Sequence, residues 1–136
     1  MKVLVTGSAG FIGSALSISL LDRGYEVVGI DNHNDYYDPE LKQARLNRHI
    51  GHPNYRHIRM DIEDQKLVES LFKEHHFDAV VNLAAQAGVR YSIENPLAYI
   101  NTNIVGFTHI LEGCRHNKVS HLVYASSSSV YGSNTN

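Results

Sequence analysis

Apolar residues along this chain fall alternately into short unbroken runs and into stripes of helical spacing, the arrangement a parallel α/β sheet imposes. Lys2-Val3-Leu4-Val5-Thr6 is the first run, ending at a glycine-rich turn. A helix is predicted from Phe11 to Asp22, with Ile12, Ala15, Leu16, Ile18 and Leu20 apolar and Gly24 closing it. Glu26 to Ile30 forms a second strand that closes on Asp31. The polar stretch from Asn32 to Pro53 holds a charged helical piece, Pro39 to Arg48, and Tyr55 to Met60 reads as a third strand. Leu67, Val68, Leu71 and Phe72 stripe a helix from about Glu63 to His75, and Ala79 to Leu83 is the fourth strand. Pro96 is placed to open a long helix with Ile100, Ile104, Phe107, Leu111 and Cys114 on one side. His121 to Tyr124 makes a fifth strand, followed by Ala125 and four serines. With right-handed crossovers this order predicts a doubly wound, Rossmann-type parallel sheet of strand order 3-2-1-4-5, one domain over residues 1–136 that is truncated after strand five.

Composition narrows the partners. The net charge of -2, with both signs interspersed, gives no reason to expect nucleic acid or an anionic membrane. The single cysteine, Cys114, excludes an intrachain disulfide. With no signal-peptide pattern and no apolar run near ~18 residues, the expected compartment is the cytoplasm. The histidines show no convergent ligand spacing, so no metal is expected.

The candidate chemistry begins at Thr6-Gly7-Ser8-Ala9-Gly10-Phe11-Ile12-Gly13, which leaves the first strand and opens the first helix. Gly7 permits a sharp turn, Gly10 lets backbone approach a pyrophosphate, and Gly13 allows the helix close to the sheet. The helix N-terminus adds free N–H donors and a positive dipole end. Glycines also serve ordinary strand-to-helix turns, so the triplet counts for little until Asp31 is added, 18 residues beyond Gly13. A carboxylate there accepts hydrogen bonds from an adenosine ribose and repels a 2′-phosphate, favouring NAD over NADP.

Ligands of such sheets bind outside the carboxyl ends of the strands, which directs attention to three further loops. Asp61 can bond an adenine amino group or cap the helix that follows it. Ala84, Ala85 and Gly88 are small enough for backbone to pass close to a flat cofactor, or simply to pack. Ser126 to Ser129 can satisfy their own loop backbone or bond a substrate oxygen.

Taken together, TGSAGFIG, DNHNDYYD, DI, LAAQAGVRYS and YASSSSVYG resemble the extended short-chain dehydrogenase/reductase family, most narrowly its UDP-glucuronate 4-epimerases and related nucleotide-sugar epimerases. The resemblance implies that Gly7, Gly10, Phe11, Ile12, Gly13, Asp31, Asn32, Asn34, Asp61, Ile62, Leu83, Ala84, Ala85 and Asn103 surround NAD. It implies that Ser127, four residues before Tyr131, is the catalytic-site serine, with Ser126, Ser128 and Gln86 near the sugar of a UDP-sugar substrate. Arg90 is placed to partner an anionic group such as a uronate or phosphate, or to be a solvated loop arginine. In that family NAD⁺ accepts the hydride from C4 of the sugar and returns it to the other face, while a YxxxK tyrosine handles the hydroxyl proton. The related 4,6-dehydratases carry an Asp-Glu pair where this chain has serines, which argues against elimination.

The pattern breaks at the base. None of the eight tyrosines is followed four residues later by lysine, and no lysine lies beyond Lys118. Without a base the expected loss is a factor of ~10² to 10⁴, so these residues alone are not expected to catalyse epimerisation. A fifth strand left as a sheet edge is also expected to drive self-association. A non-catalytic NAD-binding module and an interaction protein that has lost the cofactor remain alternatives.

Overall fold

The computed structural model describes residues 1–33, 39–84 and 93–124. Five parallel strands lie in the order β3-β2-β1-β4-β5: β1 is Lys2–Thr6, β2 Glu26–Asp31, β3 Tyr55–Arg59, β4 Ala79–Asn82 and β5 His121–Tyr124. The order is the one the sequence predicts. β1 sits at the centre because its run is apolar on both faces, and Val3, Leu4 and Val5 are all buried. In register it pairs Val3 with Val27 on one side and with Ala79 on the other.

Helices cover both faces. On one, α1 (Phe11–Asp22) and α2 (Pro39–Asn47) close a core of Val3, Val5, Leu21, Val27, Leu46 and Tyr55. On the other, α3 (Gln65–Glu74) joins a helical run made of α4 (Pro96–Ile100), a π-helical turn (Asn101–Gly106) and α5 (Phe107–His116). Leu4, Ile30, Val68, Phe72, Val80 and Ile110 are central there.

Two helices bury faces other than the ones their apolar residues predict. α1 turns Gly13, Ser14, Ser17 and Leu21 inward, while Ile12 is 64% exposed. Small residues win because the helix runs close to the sheet, and the serine hydroxyls are satisfied locally by donating to the carbonyls of Phe11 and Gly13. The Pro96 helix buries Thr102, Gly106, Ile110, Gly113 and Cys114. Of the predicted stripe, Ile100, Ile104 and Leu111 are exposed. A Cβ at Gly106 would overlap Ile62, and one at Gly113 would overlap Phe72. Close approach at two glycines therefore selects the face, and the intervening π turn shifts the register of everything after it.

Candidate functional site

The crevice of this sheet opens where the chain direction of the windings reverses, between the carboxyl ends of β1 and β4. Thr6 ties the two ends together. Its hydroxyl donates to Asn82 Oδ1 and accepts the N–H groups of Leu83 and Ala84, each at 3.0 Å. The chain then turns at Gly7, where φ is +71° and a Cβ would stand 2.8 Å from the Leu83 carbonyl carbon. Gly7 and Ser8 both donate to the Ile30 carbonyl at 2.8 and 3.2 Å, which pins the glycine loop across β2. Gly10 caps α1 without any side-chain acceptor, leaving first-turn amides to meet an anion.

Asp31 ends β2 beside that loop and is buried, with both carboxylate oxygens engaged. Oδ2 accepts the Ala9 N–H at 3.1 Å; Oδ1 accepts the His33 N–H at 2.7 Å and the Lys42 ammonium at 3.0 Å. A carboxylate offers about four acceptor positions, so roughly one is left. Lys42 comes from α2 and is itself buried. The Arg45 guanidinium, one turn further along α2, stands 5.4 Å above the ring of Phe11.

Gly7, Gly10, Asp31, Lys42, Arg45 and Phe11 line one cavity of about 440 Å³. Gly7, Gly10, Phe11, Ile12, Gly13, Asp31, Asn32, Asp61, Ile62, Leu83 and Ala84 all face it. Asn103 does not; its neighbour Thr102 does, with its hydroxyl donating to Glu63 Oε1 at 2.8 Å. Ile30, Leu41, Lys42, Arg45, Met60 and Thr102 complete the wall without having been singled out as site residues in the sequence. The spacing of Leu41, Lys42 and Arg45 along one side of a predicted helix was the available signal, yet nothing local says which face meets Asp31. Asp61 does not cap α3. Asp64 does, accepting the Leu67 N–H at 3.1 Å, because it is the residue immediately before the first helical turn. Asp61 instead accepts the Glu63 N–H at 3.0 Å and the Asn32 amide at 3.4 Å, holding the β3 exit against the β2 exit. Asn34, Ala85, Gln86, Arg90, Ser126, Ser127 and Ser128 lie outside the described residues. Among the described residues no group of three or more His, Cys, Asp or Glu side chains is placed to hold a metal ion, and no helix is long and apolar enough to cross a membrane.

The sequence profile of the GDP-mannose 4,6 dehydratase family matches residues 4–136. Protein CapI of Staphylococcus aureus is 53% identical over 99% of this chain and 40% of its own length. UDP-glucuronate 4-epimerase 4 of Arabidopsis thaliana is 51% identical over 99% of this chain and 31% of its own length. The crystal structure of the Bacillus cereus UDP-glucuronic acid 4-epimerase in complex with UDP-glucuronic acid and NAD superposes with a TM-score of 0.91 at 37% identity, covering 100% of this chain and 43% of that one. The chain thus spans well under half the length of the proteins it matches.

Proposed function

The chain belongs to the GDP-mannose 4,6-dehydratase family of nucleotide-sugar enzymes, and from that membership we propose that it is the NAD-binding part of a cytoplasmic UDP-sugar 4-epimerase of the UDP-glucuronate type. The observation that carries this reading is the convergence of the glycine loop, the α1 N-terminus and the Asp31 carboxylate on one cavity. The residues fit a dinucleotide. Gly10 lines the cavity at the N-terminus of α1 and carries no side chain, so its backbone can approach the pyrophosphate position. Met60, Ile62 and Leu41 give an apolar wall for an aromatic base. Asp31 keeps one acceptor position for a ribose hydroxyl, and Lys42 supplies a donor beside it.

Bound there, NAD would supply the hydride acceptor and donor for C4 of the sugar. The chain's own part is to hold and orient: the helix amides meet the pyrophosphate, and Asp31 with Lys42 fixes the ribose. Ser127 is proposed to bond the C4 oxygen, with Ser126, Ser128 and Gln86 at the sugar and Arg90 at the uronate. The proton-accepting tyrosine is not among these residues, so binding without turnover is the expected behaviour. Calorimetric titration tests this directly: NAD⁺ should bind at least ~10-fold more tightly than NADP⁺, a difference of ~1.4 kcal/mol. A folded chain that takes up neither nucleotide would overturn the proposal.

We further propose that the 136-residue chain self-associates. Ile104, Val123 and Tyr124 are each more than half exposed, and the Phe107 ring packs on Tyr124 at 5.0 Å, joining the apolar side of the Pro96 helix to the edge strand β5. Such a patch beside β5, the outermost strand on that side among the described residues, favours a symmetric pair. Sedimentation should show a dimer at tens of micromolar; a monomeric mass across that range would exclude it.

A further inference from the structure

A row of polar side chains runs beneath the glycine loop, outside the cavity. His33 Nε2 lies 2.7 Å from His57 Nε2, and His57 Nδ1 lies 2.9 Å from the Tyr55 hydroxyl. That hydroxyl donates to Ser8 Oγ at 3.2 Å, and Ser8 Oγ donates to the Ile30 carbonyl at 3.3 Å. The direction of the row is fixed from its far end. A carbonyl only accepts, so the Ser8 proton points at Ile30 and the Tyr55 proton points at Ser8. His57 must then donate from Nδ1 to Tyr55, which leaves its Nε2 as an acceptor for an N–H on His33.

Both ends of the row rest on the proposed nucleotide site. The Ile30 carbonyl also accepts the Gly7 and Ser8 amides that pin the glycine loop. His33 holds Asp31 Oδ1 with its backbone N–H at 2.7 Å, from a left-handed backbone with φ +54° that a histidine seldom adopts. Space for the row is built in: a Cβ at Gly29 would overlap the Tyr55 hydroxyl and stand 2.7 Å from Ser8 Oγ.

We propose that Tyr55 and His57 are positioning residues for the nucleotide site, acting through a one-way hydrogen-bond chain that couples the glycine loop at Ser8 to the ribose-binding acid at Asp31. The chain tolerates a positive charge on His33, whose Nδ1 is outside it, and needs none on His57. Burial acts in the same sense, lowering His57 to about 4 and raising Tyr55 to about 12, so both remain neutral donors and acceptors at neutral pH. The charged and titratable groups facing the pair are Asp31, which favours a charge on either imidazole, and Lys42, Arg59 and His49, which oppose one.

The inference rests on the NAD reading of Asp31, so its test has one arm with nucleotide and one without. Tyr55→Phe keeps the ring and the packing while removing the link. In the nucleotide arm it should weaken NAD⁺ about 5-fold with little change in thermal unfolding, the size of one neutral hydrogen bond. Unchanged affinity in a folded Tyr55→Phe chain would overturn the inference while leaving the cofactor reading intact. The second arm uses nitrogen-15 NMR of the free protein. His57 should carry its proton on Nδ1, and Tyr55→Phe should shift the His33 and Ser8 amides together. A His57 protonated on Nε2, or a change confined to Ser8, would overturn the coupling even if the chain bound no nucleotide at all.

Discussion

An Asp31→Ala chain is expected to lose about 3–5 kcal/mol of stability together with its NAD affinity. The stability loss comes from what the carboxylate now holds. Its two oxygens take the Ala9 and His33 amides and the Lys42 ammonium, and the two side chains of the ion pair are only 3% and 11% exposed. Alanine would leave two backbone donors without an acceptor and a cation buried without a counter-charge. The stranded cation does the greater damage, because an isolated buried charge costs more than an unmade neutral hydrogen bond. Adding Lys42→Met to Asp31→Ala should therefore restore about half of the lost stability in a urea titration, since it removes that charge. It should restore no binding. This separation matters: a double variant that is folded and still fails to bind assigns the Asp31–Lys42 pair to the ligand, not to the scaffold alone. An Asp31→Ala chain that binds NAD⁺ as well as the parent would remove Asp31 from the ribose site.

The pairing of Asp31 with Lys42 also shows where the sequence stops being legible. Strand runs such as Lys2–Thr6 and Glu26–Asp31 announce themselves because residues buried on both faces must be apolar. The glycine loop and Asp31 are legible for a related reason: backbone close to a ligand and an acid after strand two are each local requirements. Lys42 is different. Its partner lies 11 residues away in the sequence, and the orientation of α2 is set by Leu46 entering the core against Val3, Val5 and Val27. The face of the Pro96 helix fails for the same kind of reason. Ile100, Ile104 and Leu111 satisfy helical spacing, but contact with α3 is decided by where Gly113 lets Phe72 approach. Hydrophobic periodicity reports what could be buried; closeness of approach decides what is.

Gly13→Ala is expected to be the most damaging glycine substitution among the described residues, against the trend of helix propensity. Gly13 lies inside α1, where alanine normally gains ~0.5–1 kcal/mol over glycine. Its backbone has no left-handed φ, so alanine meets no conformational penalty there. Space is the whole argument. A Cβ would overlap the Gly7 carbonyl oxygen and stand 2.8 Å from the Gly7 carbonyl carbon. Backbone has no rotamer to move aside, so the loop and the helix must separate, at a cost of about 3 kcal/mol or more. Since Gly7 is itself held against Ile30 and Leu83, that separation displaces the amides that meet the pyrophosphate, and NAD⁺ binding should be lost. Gly24 supplies the control. Its φ is +85°, but a Cβ there meets nothing within 4 Å. Gly24→Ala should therefore cost only the ~1–2 kcal/mol of a left-handed alanine and leave NAD⁺ affinity unchanged. Gly7→Ala combines both penalties, with φ +71° and the Leu83 carbonyl carbon at 2.8 Å, and should fall close to Gly13→Ala. Urea unfolding and calorimetry on the three variants check the ranking. If Gly24→Ala proved as harmful to binding as Gly13→Ala, close packing of α1 on the glycine loop would not be what shapes the site.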